Sequence, residues 1–82
     1  MKWTVGPEHE DTLYENLGEA LQKQGFDLTD KWFGMAGSQD ISRWIVKSNE
    51  GRLTIESETY IGLTVKGSKI LIEKVKNEFN KL

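Results

Sequence analysis

Between Ser42 and Lys66, apolar and polar residues alternate almost without a break, and this constrains the fold more than any other feature of the chain. Successive side chains of an extended strand point to opposite faces. Trp44 and Val46 therefore share one face of a first strand, with Arg43, Ile45 and Lys47 on the other. Leu53 and Ile55 share a face of the next, opposed by Arg52, Thr54 and Glu56. Ile61, Leu63 and Val65 alternate with Tyr60, Gly62, Thr64 and Lys66 in a third. This is the pattern of an antiparallel sheet covered on one face and open on the other.

The same pattern sets a register. Keeping the apolar residues together places Lys47 opposite Arg52 and closes the loop Ser48-Asn49-Glu50-Gly51, where Gly51 can supply a left-handed residue. Arg43 then faces Glu56 favourably, whereas Lys47 and Arg52 repel. The connection near Ser57-Glu58-Thr59 lacks Gly, Asn and Pro, and reads as either a hairpin turn or a bulge.

On the N-terminal side, Lys2 to Val5 reads as a strand and Gly6-Pro7 as a helix start, with Pro7 at the first helical position. Glu8, Glu10 and Asp11 suit the positive end of the helix dipole. Leu13, Leu17, Ala20 and Leu21 form a core-facing stripe, and Gly25 stops the helix with Phe26 packing back. Asp27 to Asp30 reads as a connector and Lys31 to Ala36 as a strand. A four-residue turn, Gly37-Ser38-Gln39-Asp40, would pair Phe33 with Trp44 on the covered face and Trp32 with Ile45 on the open one. After the sheet, Ser68 caps a last helix whose apolar side carries Ile70, Leu71, Ile72, Val75, Phe79 and Leu82.

The expected fold is α+β: a two-layer sandwich with a five-stranded antiparallel sheet and two helices on one face, in the order β-α-β-β-β-β-α. One domain spans residues 1–82. In element order the chain resembles a single repeat of the TATA-box-binding-protein fold. This is a likeness of architecture, and architecture does not fix function.

Several classes of function are disfavoured. With no Cys there is no disulfide framework and no thiol chemistry, which fits a reducing compartment. A net charge of −2 gives no global basic field to recruit nucleic acid. No apolar run approaches the roughly 20 residues of a membrane span, and no apolar stretch follows Lys2 as in a signal peptide. The expectation is a cytoplasmic protein. His9, the only histidine, sits among Glu8, Glu10 and Asp11, but in no zinc or calcium spacing. Gly67-Ser68-Lys69 falls far short of a phosphate loop. No set of residues has the make-up of a catalytic constellation, so no enzyme activity, cofactor or metal is expected.

The open sheet face is the candidate site. Trp32 beside Ile45 would form an exposed apolar patch, ringed by Arg43, Lys47, Arg52, Tyr60 and Lys66. Exposed apolar patches mark interaction sites, and Trp, Tyr and Arg are the usual anchoring types. The first expectation is a small non-enzymatic module that binds itself or another protein through this face or a sheet edge, most simply as a homodimer. Two alternatives stand beside it. The cations with Trp32 and Tyr60 can serve nucleic acid or another anionic ligand, and Gly34 and Gly62 can leave room for a small-ligand cradle.

Overall fold

The alternating stretch folds as the centre of one antiparallel sheet. The computed structural model describes residues 1–7 and 10–82, with Ala36 described through its backbone alone. The elements are β1 (Lys2–Gly6), α1 (Asp11–Lys23), β2 (Asp27–Ala36), β3 (Gln39–Ser48), β4 (Gly51–Glu58), β5 (Gly62–Lys66) and α2 (Lys69–Asn80). The five strands run in the order β1-β5-β4-β3-β2, so β4 is central and β1 and β2 form the edges. This is the expected α+β architecture and element order.

The β3–β4 register follows the apolar pattern: Lys47 faces Arg52, Arg43 faces Glu56 and Trp44 faces Ile55. The expected four-residue loop is shorter: Ser48 pairs with Gly51, so Asn49 and Glu50 alone make the turn, and Gly51 leaves it at φ 144°, a positive value that only glycine adopts freely. The core lies where α1 and α2 meet β5, β4 and the inner part of β3: Leu17, Ala20, Leu21, Leu53, Ile55, Leu63, Val65, Leu71, Ile72 and Val75 are all buried. Trp3 joins it from β1 and stacks edge-on against Phe79, with 5.3 Å between ring centroids.

Both helix ends have identifiable causes. At the C-terminus of α1, Gly25 takes φ 79°, and the amides of Gly25 and Phe26 bond back to the carbonyls of Gln22 and Leu21. These are the two reversed bonds of a Schellman ending. Ser68 caps α2 by accepting from the Leu71 amide at 3.2 Å. The expected helix start at Pro7 is not what forms. The chain stays extended through Gly6, which pairs with Leu63, and α1 opens at Asp11 behind an extended Glu10. A residue before proline avoids helical geometry, which favours that extension. Glu8 and His9, with the metal reading that rested on them, lie outside the described residues. Ile70, assigned to the apolar side of the last helix, is 69% exposed.

Two further expectations about the strands are corrected, and one open choice is decided. Asp27 to Asp30 is not a connector: β2 starts directly after the Schellman ending, and a bulge between Leu28 and Asp30 absorbs one residue. The β2–β3 turn has two residues, because Ala36 pairs with Gln39. Gly37 has φ 64° at its first central position, the place a II′ hairpin turn reserves for glycine. Trp32 therefore faces Arg43 rather than Ile45, and Phe33 faces Ser42 rather than Trp44. The offset is two residues, so each side chain keeps its expected face. Finally, the β4–β5 connection is a hairpin loop rather than a bulge. It runs through Thr59, Tyr60 and Ile61, with Glu58 facing Gly62 and Tyr60 at φ 70°.

Candidate interaction surface

On the open face the central row of the sheet reads Trp32, Arg43, Glu56, Thr64, Thr4 from β2 across to β1. Glu56 and Thr64 are buried although no helix covers this side. Glu56 accepts from Lys66 Nζ at 2.8 Å and from Arg43 Nη2 at 3.4 Å. The Lys66 ammonium, helped by Arg43, holds the Glu56 carboxyl below its usual range, against burial acting the other way. Arg43 also lies over the Trp32 ring, 5.5 Å from its centroid. The Trp32 ring in turn lies across Gly34: a Cβ there would sit 2.6 Å from Trp32 Cζ2. The middle of the open face is thus a chain of stacked and paired groups, Trp32–Arg43–Glu56–Lys66.

This arrangement sorts the expected site residues. Trp32, Arg43 and Ile45 come together around a shallow pocket of about 240 Å³ with Asp30 and Lys31. Lys66 belongs to the Glu56 cluster. Lys47 and Arg52 face each other farther along, and among the described residues neither forms an ion pair. Tyr60 is not on the open face: it stands at the tip of the β4–β5 loop, 81% exposed. At neither glycine does the missing side chain itself leave open space. The Trp32 ring fills the space over Gly34, and Gly62 abuts the Gly6 carbonyl.

The chain matches no family model, no curated protein and no solved structure. The geometry must therefore carry the reading.

Sequence reasoning overlooked the larger apolar surface, which lies on the helix side of the sheet. The helices stop short of the β2 edge. Leu28, Phe33 and Met35 all point to the helix side, yet are 58%, 60% and 75% exposed. Phe33 meets Trp44 edge-on at 6.4 Å, and Trp44 meets Tyr14 at 6.3 Å. Tyr14 is held by a 2.5 Å hydrogen bond between its hydroxyl and Ser57 Oγ. Between α1 and this bare part of the sheet runs an apolar groove of about 220 Å³, with Tyr14, Leu17, Gly18 and Leu21 on one wall and Leu28, Trp44 and Val46 on the other. The available signal was length: two helices of 13 and 12 residues cannot roof five strands when β2 and β3 each run to 10. Among the described residues, no helix is long and apolar enough to cross a membrane, and no cluster of His, Asp or Glu could hold a metal.

Proposed function

We propose that this protein is a non-catalytic interaction module that self-associates through its β2–β3 hairpin. The observation that carries the reading is the concentration of exposed apolar residues on one edge strand: Leu28, Trp32, Phe33 and Met35 all belong to β2 and are all at least half exposed. Edge strands of monomeric proteins are normally short, charged or covered, because an open edge invites pairing. This one is long, and although Asp27, Asp30, Lys31 and the bulge guard its first half, Trp32, Phe33 and Met35 leave its second half apolar on both faces, which fits a surface hidden in an assembly. A symmetric dimer hides the same patch twice.

The anion-binding alternative has weaker support. Of its four cations, Arg43 and Lys66 are already engaged by Glu56, which leaves only Lys47 and Arg52.

Light scattering over a concentration series tests the proposal. The native chain is expected to be dimeric at low micromolar concentration, and Phe33→Glu with Met35→Glu to be monomeric but folded. A native chain that stays monomeric to about a millimolar, a regime of negligible affinity, would end the reading.

A further inference from the structure

The groove beside α1 contains a feature that the fold itself does not require. Gly18 sits inside α1, exposed, and a Cβ built on it would meet nothing within 4 Å. Its backbone is not among those with positive φ. Glycine inside a helix is less favourable than alanine, and no contact within the chain calls for the missing side chain. The gap lies on the wall of the apolar groove, opposite Leu28 and Trp44.

Resting on the self-association reading, we propose that the groove is the seat of the hairpin from a second copy. The two protomers dovetail: each lays the helix-side face of its β2–β3 hairpin over the other's, against the other's α1 at Gly18.

Four observations support a second copy as the occupant. The first is self-complementarity: one protomer carries both a projecting apolar hairpin and an apolar step of the same character, on the same side of one sheet. A two-fold operation satisfies both at once, and the contact closes without leaving a free end. The second is thickness. Stacked sheets lie about 10 Å apart, and a helix is about 10 Å across. A hairpin stacked on the bare part of the sheet therefore occupies the same layer as α1 and abuts it.

The third is area. Leu28 on one side of Lys31, and Phe33 and Met35 on the other, leave roughly 350 Å² of apolar surface on the helix side of β2, in the range where the largest patch of a monomer is functional. Hidden on both protomers this is about 700 Å², so the α1 walls of the groove and a polar rim supply the rest of the roughly 1,200 Å² at which stable interfaces begin. The fourth is charge. Helical spacing puts Asp11 and Glu15 on the stripe of α1 that holds Gly18, while the hairpin presents Lys31 on its helix side, opposite Trp44. An acidic rim on one protomer meets a cation on the other.

The test is Gly18→Arg, a good helix former whose side chain enters open space in the monomer but fills the groove. Gly18→Ala is its control. The dovetail predicts that Gly18→Arg keeps the native circular dichroism spectrum but weakens dimerisation about a hundredfold or more, because the clash occurs at both symmetric seats. Gly18→Ala is expected to keep the dimer. A folded Gly18→Arg that dimerises like the native chain would overturn the dovetail, while loss of the dimer in Phe33→Glu with Met35→Glu would leave the hairpin reading standing. A native chain monomeric throughout would overturn both. A second measurement needs no variant: on dilution of the native protein, the amide resonances of Tyr14 to Leu21 should move together with those of β2. Movement in β2 with α1 stationary would also overturn the dovetail.

Discussion

Replacing Glu56 by glutamine removes one charge from the middle of the open face and keeps the side chain's shape. The structure sets the scale. The Glu56 side chain is only 8% exposed, while Lys66 and Arg43 keep 48% and 45% of theirs in water. A hydrogen bond to a charged group contributes about 1.5–3 kcal/mol when it is well buried. Here the cations are half solvated, which lowers that value, and the 3.4 Å contact to Arg43 is long and adds little. The amide oxygen of the Glu56→Gln variant can still accept from Lys66. The expected cost is about 1 kcal/mol at neutral pH, a fall in Tm of about 4–8 °C for a domain of this size. The pH dependence isolates the cause. The folded carboxyl is held below its unfolded value, so its contribution is fully present above the unfolded value and is lost as pH falls through the folded one. Urea titrations followed by tryptophan fluorescence should show the gap between variant and native protein at about pH 7, narrowing below about pH 4 and closing when Glu56 is protonated. A gap of equal size at both ends of that range would refute the electrostatic account. So would no gap at neutral pH.

Other perturbations follow from local geometry. Ser68→Ala removes the α2 cap and should cost about 1 kcal/mol in urea unfolding. Glu10 stands at the start of α1 with no side-chain cap bond, so Glu10→Ser should stabilise by about 0.5–1 kcal/mol in the same assay. Gly62→Ala combines φ 107° with a Cβ 2.5 Å from the Gly6 carbonyl oxygen, and should cost about 3 kcal/mol, enough to show as a large fall in Tm.

How much of this was legible in the sequence depended on which physical constraint decided each element. The β3–β4 register could be read because two apolar pairs, Trp44–Ile55 and Val46–Leu53, must share one face, and a slip of one residue would expose them both. Ser68 and Gly25 could be read because capping and left-handed stops draw on few residue types. The β2 register could not, because Gly37-Ser38-Gln39-Asp40 is compatible with turns of two or four residues, and both keep Trp32 on the same face. The Thr59–Ile61 loop was hidden for a different reason. Tyr60 holds a positive φ that its residue type disfavours, so tertiary context overrides a local preference there. The bare helix-side surface was hardest to see. In a sequence Phe33 and Met35 look like core residues, and only the reach of the helices decides that they are not. The candidate site was therefore half legible: the Trp32–Arg43–Ile45 side could be read from alternation, and the groove beside Gly18 could not.

That division within the sheet has a dynamic consequence. Leu63 and Val65, on β5, are fully buried beneath the helices, so their amides should exchange with solvent only through global unfolding. Beyond Trp44 the β2–β3 hairpin has no roof. Its outer part is held by its own ladder, by the Phe33–Trp44 ring contact and by Trp32 lying over Gly34. Opening it exposes little apolar surface that is not already exposed, so the local free energy of opening is small. The ladder phase sharpens the expectation. A two-residue hairpin closes on a hydrogen-bonded pair, so the amides of Trp32 and Gly34 point toward β3, while those of Lys31, Phe33 and Met35 point to the free edge. In dilute native protein, hydrogen exchange should be fastest at Lys31, Phe33 and Met35, slower at Trp32 and Gly34, and slowest at Leu63 and Val65. At concentrations where the chain self-associates, protection should rise across β2 and stay constant in β5, because a partner stacked on the hairpin must be removed before it can open. Uniform protection along the sheet in dilute solution would mean that the hairpin opens only with the core. The missing roof would then have no energetic consequence, and nothing would require a partner to supply one.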